Sequence, residues 1–335
     1  MIADRQGSFF WAMAMPANGT ATFFNSSDYQ AGFRGGTINL VFTGPGIFTA
    51  RLTTVSLPHL RLYSVQESLP RIAYVALAPD SVNFSFPILP NTSLVWGAFK
   101  MTPRDLIFHG IGERMHQCTT GASGWSVISV DRKFFAGSSR ALVGSEISPP
   151  RVARVLRPPP TDAVELHRLH AKACRLAETN SRTIRHREVA RAIEHDIIYS
   201  LINCLTADVE HEDTAKRLHC ASIMNRLEDQ LAAEHRRKVL IPELCEAIGV
   251  AERTLRNYCL DAIGISPNQY LRLHRLNLLR VALQQADPVT AKVSEIADRH
   301  GFSEFGRLAG FYRTVFGETP SATLHYPRHT VPRTV

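Results

Sequence analysis

The side chains best suited to bond-making chemistry in this chain are its cysteines and histidines, and their spacing argues against a metal. Cys118, Cys174, Cys204, Cys220, Cys245 and Cys259 include no pair two to four residues apart, the separation expected of zinc ligands. Several fall on apolar helical faces, where a free thiol behaves as a small hydrophobe. Reduced thiols of a cytoplasmic protein are therefore the expectation. His59, His109 and His116 form no His-x-His pair and have no Glu at a matching offset, so a metal-dependent barrel enzyme lacks its ligands. His167 and His170 stand three apart with no carboxylate or Cys to complete a site, and are expected to be solvated. Gly110-Ile111-Gly112 runs into Glu113 and Arg114 without opening a helix, so the context of a dinucleotide loop is missing. The reading is a chain with no catalytic residues, no metal and no cofactor.

The 335 residues carry 38 Lys/Arg against 30 Asp/Glu, a formal charge of +8 and a sequence pI near 9.4. That balance favours a polyanionic partner. The excess is spread as +3 (residues 1–150, 11 against 8), +2 (151–220, 12 against 10) and +3 (221–335, 15 against 12), so charge alone does not place a nucleic-acid site. No apolar run reaches the roughly 18 residues of a membrane span. Phe9–Met15 is apolar but short, with Asp4 beside Arg5 before it, and is read as part of a fold rather than as a secretion signal. No membrane contact is expected.

From about residue 20 to 150 the segments Thr37–Thr43, Ile47–Leu57, Leu60–Gln66, Arg71–Ala78, Ser81–Ile88 and Trp125–Val130 are rich in β-branched and aromatic residues and are separated by Gly and Pro breakers. This spacing predicts an all-β barrel or sandwich of cupin-like type. Phe48, Ala50, Leu52 and Thr54 alternate with Thr49, Arg51 and Thr53, as in a half-buried strand. No helical period competes before residue 160. A barrel without catalytic residues encloses a small ligand or serves as an interaction surface. Residues 147–160 are proline-rich and basic, and Pro158–Pro160 predict an extended spacer.

Helical patterning follows. Thr161 or Asp162 is a candidate cap for a helix with Val164, Leu166, Leu169, Ala173 and Leu176 inside. A second helix spans about 187–205 on Val189, Ala190, Ile193, Ile197, Leu201 and Leu205. These stripes either pack on their own domain or form a homodimer interface. Ala207–Asp213 is polar and acidic and marks a softer boundary. Beyond it, Ser222–Glu234 offers Ile223, Leu227 and Leu231 and leads into a charged turn, His235–Lys238. Two helix–Gly–helix units come next, one on Ile241–Ile248, Gly249 and Glu252–Asp261. The other is Ser294–Pro320, where Gly301 ends a helix, Ser303 stands at an N-cap position, and a second helix runs from Glu304 to Phe316. A helix pair of this kind places its second helix in a DNA major groove, although a plain helical hairpin gives the same pattern. The second helices begin 52 residues apart, at Glu252 and Glu304. Ser266 as cap and Pro267 as first residue start a 19-residue helix between them, about 28 Å long at 1.5 Å per residue. Successive major-groove faces recur about every 34 Å, and a duplication with a spacer of this length points to DNA.

At these residues the chain resembles the AraC/XylS family of bacterial transcription regulators. The likeness rests on Gly301-Phe302-Ser303, Tyr312-Arg313, Phe316-Gly317 and Thr319-Pro320-Ser321 in the second unit. In the first it rests on Leu244-Cys245, Gly249-Val250, Thr254-Leu255, Gly264-Ile265-Ser266-Pro267, Tyr270-Leu271 and Arg275-Leu276. It covers about residues 220–325. The organisation it implies is a β-barrel effector-binding domain at 1–155, a spacer and helical linker at 156–220, and a DNA-binding domain at 221–328, with helix-turn-helix units at about 241–262 and 293–316. The resemblance also implies double-stranded promoter DNA, a small-molecule effector and RNA polymerase as partners, and a function as a ligand-responsive activator. It is closest to the branch that controls catabolism of small amines or aromatic compounds.

The resemblance places base contacts on Arg253, Arg256 and Asn257 in the first unit, with Thr254 among its DNA-binding residues, and puts Ser303, Glu304, Gly306 and Arg307 at the start of the DNA-binding helix of the second. Arginine suits guanine and asparagine suits adenine. Arg313 is assigned to phosphate or to packing. Gly306 and Gly310 replace the polar residues common at those positions, so Arg307 is the main reader of a unit that grips the backbone more than it specifies. A barrel enzyme with a DNA-targeting tail and a protein-binding helical scaffold are the alternatives.

Overall fold

A computed structural model describes residues 16–89, 94–207, 214–233 and 239–325. Phe9–Met15, residues 208–213 of the expected soft boundary and the turn His235–Lys238 lie outside the described residues. The chain begins with β1 (Asn18–Phe23), α1 (Ser26–Gly32), β2 (Gly36–Phe42), β3 (Ala50–Ser56), β4 (Leu60–Glu67), β5 (Arg71–Leu77) and β6 (Ser81–Pro87). There follow β7 (Leu94–Trp96), β8 (Phe99–Lys100), β9 (Leu106–Phe108), β10 (Arg114–Thr119), β11 (Ser123–Asp131), α2 (Arg132–Val143) and β12 (Arg154–Leu156). The strands form a seven-stranded sheet in the order β1-β3-β4-β11-β6-β9-β12 and a five-stranded sheet in the order β2-β5-β10-β7-β8.

Both faces of the large sheet are apolar, and each has its own partner. Tyr63, Val65, Trp125 and Val127 point inward and pack with Ile38, Ile72 and Val75 of the small sheet. Leu62, Phe84, Phe86, Ile128 and Val130 point outward, where two helices cover them. These are α3 (Pro160–Thr179) and α5 (Arg187–Thr206), joined by α4 (Ser181–Ile184). Leu166, Ala173, Ile197 and Leu201 supply the contact, so the inward stripes of these helices are taken up within the chain.

The structure departs from several local expectations. Among the described residues two helices, α1 and α2, precede residue 160. Asp131 caps α2 by accepting from Phe134 N at 2.8 Å, and Gly144 closes it in the left-handed region at φ 78°. Arg154–Leu156 is a paired edge strand rather than a free spacer. Pro160 opens α3 as its first residue, where its missing N–H costs nothing, and neither Thr161 nor Asp162 caps it. Val164 is 59% exposed rather than inside. Thr53 is buried, because its hydroxyl reaches Glu178 Oε1 of α3 at 2.8 Å. His167 and His170 are not solvated: the first stacks on Phe86 at 4.4 Å and the second meets its edge at 5.2 Å.

The C-terminal helices are α6 (Thr214–Ala233), α7 (Ile241–Ile248), α8 (Glu252–Ile263), α9 (Pro267–Gln285), α10 (Val293–Arg299), α11 (Phe305–Phe316) and α12 (Pro320–His325), of which α6, α8 and α9 pack on the free face of the small sheet. The result is a helix–sheet–sheet–helix layering.

Candidate nucleic-acid interface

Ile248 packs beneath α8 through Leu255, Cys259 and Ile263 in one apolar cluster. The chain turns from α7 to α8 at Gly249, held at φ 68°, with its N–H bonded to Glu246 O and that of Val250 to Cys245 O. A side chain is strained at that φ, which is why glycine ends the helix. With Leu255, Cys259, Ala262 and Ile263 buried, the opposite face of α8 is fixed as the outer one. Arg253, Arg256 and Asn257 are all exposed on it, and Thr254 is half-buried beside them. No acidic partner holds Arg253 or Arg256 among the described residues.

The second unit repeats the plan. Ile296 and Ala297 of α10 pack with Leu308, Tyr312 and Val315 of α11. Gly301 makes the turn at φ 75°, and Phe302 N bonds back to Ala297 O at 3.0 Å. Ser303 is not the N-cap. Glu304 occupies that position and α11 starts at Phe305, with no side-chain bond to its first N–H groups. Glu304 is drawn instead to Arg307, 2.7 Å away on the first turn. Ser303, Glu304, Gly306, Arg307 and Arg313 are all exposed, and a Cβ added at Gly306 or Gly310 meets nothing within 4 Å. The start of α8, capped by Ala251, also lacks a side-chain bond. Each second helix thus opens with unclaimed N–H groups, a favourable seat for a phosphate.

Sequence reading missed the surface that holds these helices. His116 Nε2 of β10 lies 2.8 Å from Glu228 Oε1 of α6, and Tyr270 OH of α9 donates to the same oxygen at 2.6 Å. Burial pushes the Glu228 carboxyl up, but the bonds from His116 and Tyr270 outweigh it and the net direction is down. Arg114 bridges Asp229 through two bonds of 2.9 Å, and Tyr74 OH donates to Asn225 at 3.1 Å. Asn277 of α9 acts as an extra strand residue: its Oδ1 accepts from Phe42 N at 2.9 Å and its Nδ2 donates to Phe42 O at 3.2 Å. A cavity of about 50 Å³ lies at this join between Trp96, Phe99, Met115, Cys220, Met224 and Ala262. It is a third of the roughly 150 Å³ that accommodates benzene.

A second polar cluster lies between the sheets. Arg71 Nη2 meets Glu67 Oε2 at 2.6 Å, both side chains being fully enclosed, and Trp125 Nε1 donates to that oxygen at 3.0 Å. Tyr29 OH, Glu67 Oε1 and Gln117 Nε2 remain buried without partners among the described residues. Burial, with Glu67 alongside, pushes the Tyr29 phenol well up.

A sequence-family model described as a helix-turn-helix domain matches residues 244–326. Residues 244–326 are a helix-turn-helix domain. Over 96 residues the chain is 34% identical to a probable thc operon regulatory protein of Rhodococcus erythropolis, covering 29% of each. Over 89 residues it is 34% identical to a XylDLEGF operon transcriptional activator of Pseudomonas putida, covering 27% of this chain and 28% of that one. The matched segment thus spans under a third of the length of these relatives. The crystal structure of the AraC-like transcriptional activator CuxR is similar over 78% of this chain and 95% of that one, at 15% identity and a TM-score of 0.41.

Proposed function

We propose that the chain is a sequence-specific, double-stranded DNA-binding transcription regulator that activates in response to a small molecule. The observation that carries it is the pair of helix-turn-helix units at the ends of α9, each presenting an exposed outer face on its second helix. Arg253, Arg256 and Asn257 read bases from the first unit. Ser303, Glu304, Gly306, Arg307 and Arg313 meet the second segment, mostly at its backbone, with Thr254 packed behind the readers. The enclosed polar cluster around Glu67 and Arg71 supports an effector site between the sheets, since Glu67 Oε1 and the neighbouring Tyr29 OH and Gln117 Nε2 lack hydrogen-bond partners among the described residues. The regulator works without catalysis, and RNA polymerase is its downstream partner. The inward stripes of α3 and α5 are occupied, so a homodimer would use other surfaces. Organisation into an effector domain (1–155), a linker (156–220) and a DNA-binding domain (221–328) fits this role.

Protection mapping of the full chain on DNA upstream of its neighbouring operon, with and without candidate effectors, tests the reading. Two protected segments about 34 Å apart on one face of the duplex are expected. Absence of salt-dependent DNA binding by the intact chain would refute it.

A further inference from the structure

Three arginines of α9 end on aromatic rings of the second helix-turn-helix unit. The guanidinium carbon of Arg272 lies 3.7 Å from the centroid of Phe311, that of Arg275 5.6 Å from Phe302, and that of Arg280 4.4 Å from Phe316. Phe302 is in the turn, Phe311 is in the middle of α11 and Phe316 is its last residue, so the contacts span the unit. Arg280 Nη2 also donates to Glu318 Oε1 at 2.9 Å. Thr323 donates to that oxygen at 2.9 Å and meets Tyr312 OH at 2.8 Å. A continuous path therefore joins α9, α12 and the core of α11. The other side of α9 is committed to α6 through Tyr270, which donates to Glu228, and to the small sheet through Asn277, which donates to Phe42 O.

On a helix linking two DNA-binding units, arginines would first be assigned to phosphates. Their surroundings argue for another role. Arg275 Nη1 and Arg280 Nε are buried without a hydrogen-bond partner among the described residues, while Arg275 Nε donates to Leu271 O at 3.4 Å and Arg280 Nη2 to Glu318, so both guanidiniums are engaged within the protein. Burial, with Arg272 nearby, pushes the Arg275 guanidinium down. Arg272 stays exposed, but its plane is close enough to Phe311 for full stacking. A planar guanidinium covers a ring face in a way that a lysine ammonium does not.

We propose that Arg272, Arg275 and Arg280 are positioning residues that lock the second helix-turn-helix unit onto α9, and so set the separation and phase of the two DNA segments. This rests on the DNA-binding reading, but the lock itself is measurable without DNA. In the full chain, Arg272→Lys and Arg280→Lys keep the charge and lose the stack, and Phe311→Leu removes a ring while keeping an apolar side chain. Hydrogen exchange is expected to quicken at least tenfold in residues 293–325 of each variant, with 241–263 unchanged. Salt titration on a 40-base-pair random-sequence duplex should give Arg272→Ala and Arg280→Ala the wild-type slope. Unchanged exchange in 293–325 for all three conservative variants would overturn the proposal. So would a slope that falls by about 0.9 per alanine, the signature of a lost phosphate contact. A wild-type chain that bound no duplex would defeat the DNA-binding reading and leave the exchange result to decide the lock.

Discussion

His116 of β10 and Glu228 of α6 meet at 2.8 Å across the join between the small sheet and the C-terminal helices, 112 positions apart in the chain. Tyr270 holds the same carboxylate from α9, so one buried oxygen ties three elements together. Removing a buried partner leaves the others desolvated and unpaired, at a cost of about 3 kcal/mol. Glu228→Ala is expected to lose that much in urea unfolding at pH 7, and Glu228→Gln less than half of it. Because the folded carboxyl sits below its ordinary value, its contribution is complete above the unfolded value of about 4.3 and is lost as pH falls through the folded one. The gap between wild type and Glu228→Gln should therefore close as pH drops from 6 towards 3.5. A gap that stays constant would assign the stabilisation to shape rather than charge.

Arg253 and Arg256 stand exposed on the outer face of α8, without an acidic partner among the described residues, whereas Arg307 is already bonded to Glu304. Arg253→Ala and Arg256→Ala should each cost roughly 1–3 kcal/mol of operator affinity and relax specificity at one base position. Fluorescence anisotropy on single-base operator variants would show it. Equal weakening on every sequence would remove the base-reading role.

Glu304 places a negative charge where phosphates would approach and occupies Arg307 at 2.7 Å. Exposed pairs of this kind are worth well under 1 kcal/mol, so the arginine is easily released. Glu304→Gln is expected to strengthen DNA binding by about 0.5 kcal/mol on any sequence, and Arg307→Ala to weaken it. Operator affinity at fixed salt decides both.

Legibility in the sequence followed the range of the interaction. The start of α9 was visible in Ser266 and Pro267, because a cap and a helix-compatible φ act within one turn. Gly249 and Gly301 likewise marked their turns, since the backbone there demands positive φ. Helix α2 was missed although Asp131 and Gly144 bracket it, its short apolar stripe being masked by flanking strands. Thr53 was assigned to solvent because alternation shows which residues share a face, not that α3 will cover it. His116, Asn277 and the Arg272–Phe311 stack were illegible as site residues, since each depends on a partner brought together by tertiary folding. The exposed face of α8 could be read because its buried residues define it by exclusion, whereas Ser303 was misplaced by one residue at a helix end.

Gly306 and Gly310 lie on the exposed side of α11, and a Cβ at either would enter open space. Glycine inside a helix costs roughly 0.5–1 kcal/mol relative to alanine. Gly306→Ala and Gly310→Ala should therefore each raise stability by about that amount in thermal or urea unfolding. If α11 needs close backbone approach to DNA, the same substitutions will weaken operator binding. A double variant that is both more stable and binds as well as wild type would exclude that need.

His170 tests how firmly α3 covers the outer sheet face. Its ring is buried against Phe86, and burial holds its pKa down at about 4. The neutral ring is therefore the folded form, while an unfolded ring takes up its proton near 6.5. Stability from this group is complete above about pH 6.5, is lost as pH falls towards 4, and is level below that. A shift of this size corresponds to about 3 kcal/mol at 1.36 kcal/mol per pH unit. His167, half-covered on the same helix, has its pKa lowered by burial and adds to the same trend. His170→Leu keeps the volume roughly constant and removes the proton acceptor. Urea midpoints at pH 7, 5.5 and 4.5 should fall steeply in the wild type and distinctly less in the variant. Parallel falls in the two proteins would mean that protonation of His170 does not control the release of α3.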